Sequence, residues 1–207
     1  MTPIVIRLAV EDDLSEAALR RILDYSNRDF LVNVCYGKQG VNYLKKHISA
    51  YNHAAKIIPY LVLADLDRAE CPPALIQEWL IRAAHPNLLF RVAVREVEAW
   101  LLADGEGIAD YFHISPSLIP RNVEEITDPK QTLINLAKKS RKKDLREAIV
   151  PPHGSARKQG PDYNGAMIGF VEKRWNIDNA VHHSISLERA YSAIKKFTFM
   201  PSPIKNG

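Results

Sequence analysis

The sequence has few cysteines, and this scarcity limits the chemistry that it supports. Only Cys35 and Cys71 occur in 207 residues, with no CxxC pair and no Cys/His spacing around them. A disulfide framework and a structural zinc site therefore have no support, and a reducing compartment is expected. The apolar fraction of 46% and the charged fraction of 25% are those of an average globular protein, so the whole chain is expected to fold.

The sequence also lacks a long apolar run. No segment approaches the roughly 20 apolar residues that cross a bilayer. The apolar residues 1–10 lead directly into Glu11, without a basic segment or a small-residue cleavage site. This start is therefore interpreted as a strand and not as a signal peptide. A cytoplasmic protein with no membrane partner is expected.

Short runs rich in Val, Ile and Leu alternate with segments of helical periodicity in the first half of the chain. The predicted strands are 3–10, 30–36, 59–64 and 88–94, and the predicted helices are 14–25, 41–56 and 74–84. Alternation of this kind favours right-handed βαβ crossovers and a parallel sheet covered on both faces. The predicted fold class is α/β, with a Rossmann-like, mainly parallel sheet of about four strands flanked by helices.

After residue 104 this alternation stops, and prolines divide a mostly helical remainder. The predictions for it are helices at 130–143, 163–175 and 186–197, with Ser186 as the N-cap of the last, and a loop at 151–162. The predicted organisation is an α/β core over 1–104, a helical C-terminal extension over 105–200 packed on it, and a flexible tail over 201–207.

Acidic residues follow three of the predicted strands. They are Glu11 after the first strand, Asp65 and Asp67 after the third, and Glu96 and Glu98 after the fourth. In an open parallel sheet, ligands bind outside the carboxyl ends of the strands, so these acids are expected to lie at one edge. Because side chains alternate along an extended chain, Asp65 and Asp67 are expected to point the same way, with Leu66 facing the core.

Clustered carboxylates repel one another, and a bound hard cation removes that conflict. All-oxygen ligands suit Mg²⁺ or Mn²⁺, which bind phosphate oxygens in their open positions. The predicted metal ligands are Glu11, Asp65, Asp67 and Glu98. Any single acid here can equally be a solvated strand-end or helix-cap residue, and Asp12 and Asp13 are assigned to the helix N-terminus.

The Val10-Glu11 string, the Asp65-x-Asp67 motif and the later glutamate resemble the toprim domain of primases, topoisomerases and OLD-family nucleases. The segment from Arg95 to Asp104 looks like the signature of an uncharacterised toprim-like family of prokaryotic defence islands, encoded beside ATPases. The resemblance continues through 128–130, 160–164 and 175–186. Where toprim proteins usually have glycine after the first glutamate, this chain has Asp12.

The resemblance implies catalytic or metal-binding roles for the acidic positions. Glu11 matches the toprim glutamate, a metal ligand or general acid/base, and Asp65 and Asp67 match its metal-binding pair. Glu98, with Glu96 beside it, matches the later acidic position. The implied activity is that of a metal-dependent nuclease, and the implied role is that of an anti-phage effector working with an ATPase partner.

The same acids also resemble a response-regulator receiver, in which an acidic pair and a phospho-accepting aspartate share Mg²⁺. Receivers have a hydroxyl residue after the fourth strand and a lysine after a fifth. Here Arg95 and Glu96 follow the fourth strand, and no fifth strand is evident. The receiver is the weaker alternative.

A basic segment indicates where nucleic acid, either DNA or RNA, would bind. The candidate phosphate-binding residues are Lys138, Lys139, Arg141, Lys142, Lys143, Arg157 and Lys158. A solvated helix face explains the first five equally well. A second functional hypothesis also stays open: a non-catalytic toprim-like module that binds or senses nucleic acid or serves a partner.

Overall fold

The computed structural model describes residues 2–201. Its strands are β1 (Ile4–Val10), β2 (Phe30–Gly37), β3 (Tyr60–Asp65) and β4 (Leu88–Ala93). Its helices are α1 (Asp13–Tyr25), α2 (Val41–Ala54), α3 (Pro72–Trp79), α4 (Val97–Leu102), α5 (Gly105–Phe112), α6 (Pro129–Ala137), α7 (Lys143–Ile149), α8 (Tyr163–Lys173), α9 (Ile177–Val181) and α10 (Ile185–Lys196). Two short 3₁₀ turns cover Pro116–Leu118 and Val123–Glu125.

The four strands form one sheet in the order β2-β1-β3-β4, and β1 pairs in parallel with both β2 and β3. The predicted α/β class, with a four-stranded parallel sheet flanked by helices, is confirmed. The chain leaves β1 toward one side of the sheet and β3 toward the other. The boundary between β1 and β3 is therefore the topological switch point, where ligands bind in open α/β sheets.

The strands form where the chain can be buried on both faces. Residues 60–64 of β3 are all buried, and Leu8, Ala9 and Val10 of β1 are fully inaccessible to solvent. Near-continuous apolar runs of this kind are typical of central parallel strands. β2 is only half-buried along most of its length, as befits a strand at the edge of the sheet.

The chain divides into two compact units. One comprises residues 2–92 and 189–201, and the other comprises residues 93–188. The first contains nearly all of the sheet with α1, α2 and α3, and the second contains α4 to α9. The predicted boundary at residue 104 stays a prediction, and of the predicted tail 201–207 only Pro201 lies within the described residues.

Two predictions about the C-terminal helices are wrong. The predicted basic helix over 130–143 is two elements, because α6 ends at Ala137 and α7 begins at Lys143. Buried Ser140 lies in the break, where its hydroxyl donates a hydrogen bond to the Phe112 carbonyl (2.6 Å) and accepts one from the Lys142 N–H (3.1 Å).

The predicted loop over 151–162 is confirmed, since no helix or strand is assigned there.

The predicted N-cap of α10 is also wrong. The Ser184 hydroxyl accepts the Leu187 N–H at 3.2 Å, which is the bond that an N-cap makes. The Ser186 hydroxyl instead accepts the Trp100 indole N–H (2.7 Å) and the Val94 N–H (3.2 Å).

No helix within the described residues has the length and apolar character needed to span a membrane.

Candidate functional site

Glu11 and Asp65 meet at the switch point of the sheet. Glu11 directly follows β1, and Asp65 is the last residue of β3. The Asp65 backbone N–H donates a hydrogen bond of 2.9 Å to Glu11 Oε1. Because this bond ties the carboxylate to the end of the neighbouring strand, Glu11 has a fixed orientation at the edge where α/β sheets bind ligands.

The environment of Glu11 disfavours its negative charge. Burial, together with the charges of Asp67 and Asp12, raises the pKa of its carboxyl to about 7, and the hydrogen bond from the Asp65 N–H lowers it and so opposes part of this change. Asp67 thus contributes a repulsion that disfavours the charged form of Glu11. A nearby cation would relieve this repulsion, which is the behaviour expected of a metal-ligand pair.

The local geometry predicted for Asp67 is wrong. β3 ends at Asp65, and Asp67 has a φ of 48°, in the left-handed region. The alternation of an extended strand therefore does not determine where its side chain points. Leu66 is buried, as predicted.

The neighbouring acids of the first unit have structural partners. Asp12 is the N-cap of α1 and accepts the Ser15 N–H at 2.8 Å, as assigned from the sequence. Asp13 pairs with the Lys38 ammonium at 2.8 Å, and Lys38 also pairs with Glu16 at 2.5 Å. Asp12 and Asp13 therefore have structural roles, and Glu11, Asp65 and Asp67 stay the predicted metal ligands of this unit.

Gly37 sets the distance between β1 and β2 at this edge. Its φ is +98°, and a Cβ atom placed on it would lie 2.0 Å from the Val10 carbonyl oxygen. The Lys38 N–H donates to that same oxygen at 2.9 Å. Only glycine fits here, directly beside the residue that precedes Glu11.

The donor chemistry of Glu11, Asp65 and Asp67 fits a hard divalent cation. Mg²⁺ is commonly held by one or two carboxylates together with waters and substrate phosphates. In the part of the chain that the structure describes, no group of three or more His, Cys, Asp or Glu side chains is arranged to hold a metal ion. The fit therefore rests on carboxylates that act together with a phosphate ligand.

Glu98 and Glu96 belong to the second unit, where they contact a lysine and a tyrosine. Glu98 is 3% exposed, and its Oε1 accepts the Tyr163 hydroxyl at 3.1 Å and lies 3.5 Å from the Lys130 ammonium. That ammonium lies 4.8 Å from the centre of the Tyr163 ring. Glu96 Oε2 accepts the Lys130 backbone N–H at 3.2 Å.

Three helix N-termini supply this second cluster, since Glu98, Lys130 and Tyr163 lie in the first turns of α4, α6 and α8. Lys130 and Tyr163 had no predicted contact with Glu98. The sequence does indicate that Lys130 lies in the first turn of a helix. Asp128 is an N-cap residue, and Pro129 follows it at the first helical position.

The predicted nucleic-acid residues are spread over a turn, a helix start and a loop. Lys139 and Arg141 line a cavity of about 870 Å³ together with His113 and Asp110. Lys138 bonds Asn135, Lys142 lies over the Tyr111 ring, Lys143 pairs with Glu147, and Arg157 and Lys158 are exposed in the loop before α8. The structure thus brings Lys139 and Arg141 to one cavity.

Fold and site together define an α/β protein with an acidic pair at the switch point of its sheet. Comparison of the chain with protein-family models, with curated proteins and with solved structures finds no match.

Proposed function

We propose that the protein is a divalent-metal-dependent phosphodiesterase of toprim type that cleaves nucleic acid. The observation that carries the proposal is the bond between Glu11 and the Asp65 N–H at the switch point, with Asp67 near enough to raise the Glu11 pKa. Mg²⁺ or Mn²⁺ is the proposed cofactor, held by carboxylates from the set Glu11, Asp65 and Asp67 together with a phosphate of the substrate. A cytoplasmic location and an ATPase partner belong to the same proposal.

In this proposal each residue of the site has a defined task. When bound, the metal would polarise a phosphodiester and lower the pKa of a water molecule. Glu11 is held toward the site by the Asp65 N–H. Its carboxyl has a pKa of about 7 without metal, and a bound cation would favour the charged form that ligates it. Asp67 adds the negative charge that a cation must balance.

Cleavage by purified protein tests this function directly. Single-stranded DNA, plasmid DNA and tRNA are incubated with Mg²⁺ or Mn²⁺, using wild type, Glu11→Gln and Asp67→Asn. Both variants are expected to lose at least about 100-fold in rate. Asp13→Asn is the matched control: Asp13 lies two residues from Glu11 but pairs with Lys38, so the variant is expected to keep its activity. Cleavage that survives both site variants would overturn the assignment.

The second candidate is a non-catalytic module that binds nucleic acid. The Glu98 contacts favour it, because its carboxylate already has a lysine and a tyrosine as partners and so does not need a metal. This module would bind nucleic acid but would not cleave it with Mg²⁺ or Mn²⁺, either alone or with the ATPase encoded nearby, and this result separates it from the nuclease.

The receiver alternative fits the structure less well. A receiver shares one Mg²⁺ between adjacent acids and a phospho-accepting aspartate, whereas here Asp12 caps α1 and Asp13 pairs with Lys38. The strand order β2-β1-β3-β4 is common to both classes and does not separate them. Incubation with acetyl phosphate and Mg²⁺ should leave Asp65 unmodified, as seen by intact mass.

A further inference from the structure

The stretch from residue 30 to residue 64 contains no aspartate or glutamate. It does contain several lysines, histidines and tyrosines: Lys38, Lys45, Lys46, Lys56, His47, His53, Tyr36, Tyr43, Tyr51 and Tyr60. A basic helix can simply present a solvated face, but aromatic rings between the basic residues also allow it to bind unpaired bases. Cationic groups attract phosphates, and aromatic rings stack on bases.

The sheet register and α2 bring these rings together. Tyr36 of β2 pairs with Ala9 of β1, and Tyr60 of β3 pairs with Arg7, so both rings lie on the same face of the sheet. The two rings contact each other, with centres 6.1 Å apart, and Tyr51 of α2 packs against both, with ring centres 5.7 Å from Tyr36 and 5.3 Å from Tyr60. α2 therefore covers this face, and its side toward β2 continues the aromatic surface.

Tyr43 and His47 extend that surface toward the N-terminus of α2. Their rings are stacked with centres 4.1 Å apart and an interplanar angle of 26°. Both are partly exposed, as is Tyr36. We call Tyr36, Tyr43, His47, Tyr51 and Tyr60 the aromatic track. Its partly exposed members are Tyr36, Tyr43 and His47, whereas Tyr51 and Tyr60 are buried.

The charges on α2 are arranged asymmetrically around the aromatic track. Lys46 is exposed and lies one turn from Tyr43, so it borders the track. Lys45 projects about 100° away around the helix and pairs with Glu78 of α3 at 2.5 Å, on the opposite side. Lys46 thus carries its charge beside the rings, whereas the charge of Lys45 is balanced elsewhere.

One end of the track reaches the acidic site of the same unit. The Gly40 N–H donates to the Glu11 carbonyl at 3.0 Å, and the Tyr43 N–H donates to the Gly40 carbonyl at 3.2 Å. Two backbone hydrogen bonds therefore connect the main chain of Glu11 to that of Tyr43, through Gly40.

The other end of the track carries Arg7. Its guanidinium donates to the Tyr60 hydroxyl at 3.1 Å and forms no ion pair with a carboxylate of residues 2–201. Arg7 also lines a mostly apolar cavity of about 740 Å³ with Val5, Ala54 and Ile57.

We propose that a single strand of nucleic acid binds along α2, with a base stacked against Tyr43 and His47 and its phosphates near Lys46 and Arg7. The bases of a duplex already stack on one another, so partly exposed rings beside a helix suit unpaired bases. The placement of the cleaved phosphate at Glu11 rests on the proposed function, but binding along the track does not.

Fluorescence anisotropy in EDTA tests the proposal without cleavage. The probes are labelled single-stranded DNA, single-stranded RNA and duplex DNA of about 12 nucleotides. Wild type should bind a single strand more tightly than the duplex, and the two single-stranded probes show which sugar is preferred. Tyr43→Leu, which keeps an apolar side chain but removes the ring, should weaken single-strand binding roughly 5- to 100-fold.

Lys46→Gln and Lys45→Gln form a matched pair on the same helix. Lys46→Gln should weaken binding and reduce the slope of log affinity against log salt by about 0.7, the value for one phosphate contact on a single strand. Lys45→Gln should leave the slope and the affinity unchanged. Because Lys46 is exposed, its variant decides the question even if Tyr43→Leu unfolds.

Three outcomes would overturn the aromatic track: equal effects of the two lysine variants, an unchanged salt slope in Lys46→Gln, or duplex binding as tight as single-strand binding. Failure of the proposed function gives a different result, in which single strands still bind along α2 in EDTA but are not cleaved with Mg²⁺ or Mn²⁺.

Discussion

At the scale of single residues, Glu11 makes stability depend on pH. Its folded-state pKa of about 7 lies above the ordinary value of 4.5, so the folded protein holds this proton more tightly than the unfolded chain does. The corresponding stability is present below pH 4.5 and is lost as the pH rises through 7. In EDTA at pH 8, Glu11→Gln is expected to be more stable than wild type by at most about 3 kcal/mol, as measured by urea unfolding.

Glu16 supplies a control of opposite sign. The pKa of its carboxyl is lowered: burial raises it, but hydrogen bonds from Lys38 and Arg20 outweigh burial. Stability from Glu16 is therefore present above its unfolded pKa and lost as the pH falls, and Glu16→Gln should destabilise the protein at pH 8. If Glu11→Gln and Glu16→Gln shift stability in the same direction at pH 8, the account of Glu11 is wrong.

Asp104 is a buried carboxylate whose oxygens are all used in structural bonds. It is 1% exposed and accepts the Gly107 N–H (3.1 Å), the Asn176 N–H (2.8 Å) and the Asn179 side-chain amide (2.9 Å). Asp104→Asn replaces one of these acceptor oxygens with an NH₂ donor that faces another N–H, and it should cost about 2 kcal/mol. Asp110→Asn, at an exposed carboxylate 3.6 Å from Arg174, should leave the melting temperature within about 1 °C of wild type.

At the scale of elements, Ser140 holds the break between α6 and α7. Ser140→Ala leaves the buried Phe112 carbonyl without this donor and should lower the free energy of unfolding by about 1–3 kcal/mol. Ser155 also accepts the N–H of the residue two positions later, but it is exposed, so Ser155→Ala should be nearly neutral. Equal melting temperatures for the two variants would contradict this role of Ser140.

The sequence predicts elements where local patterns decide them. β1 to β4 are each found within one residue of the predicted ends, because buried apolar runs are visible in the sequence. The α6 break was missed because the partner of Ser140 is Phe112, 28 residues away. Ser184 and Ser186 could not be ranked as caps, since Ser186 is recruited by Trp100 from another helix.

In the candidate site, too, features set by local sequence could be predicted, and features set by long-range contacts could not. The strand-end positions of Glu11 and Asp65 follow from the sequence, and so does their meeting once the strand order is known. The left-handed turn at Asp67, the contacts of Lys130 with Glu98 and the aromatic track depend on chain reversals or on helix crossings. Tyr36, Tyr43 and Tyr60 come from three elements, so no spacing in the sequence marks them as neighbours.

At the scale of the whole molecule, metal binding should appear as added stability. A ligand that binds only the folded state stabilises by about 2.7 kcal/mol at 100 times its dissociation constant. Saturating Mn²⁺ or Mg²⁺ is therefore expected to raise the melting temperature of wild type and of Asp13→Asn by roughly 5–10 °C. The same titration should leave Asp67→Asn nearly unchanged, and a shift of equal size in that variant would remove Asp67 from the ligand set.

Gly37 has a consequence for how the tolerance of this chain to substitution is interpreted. A methyl group at this position would displace the Val10 carbonyl and with it the start of the turn that carries Glu11. In a saturation library selected for activity, position 37 should reject every other amino acid as strictly as position 11 does, although glycine has no side-chain chemical group. Positions that tolerate no substitution will therefore include residues outside the proposed metal ligands. At position 37 the cause is the spacing between β1 and β2 and not a role in catalysis.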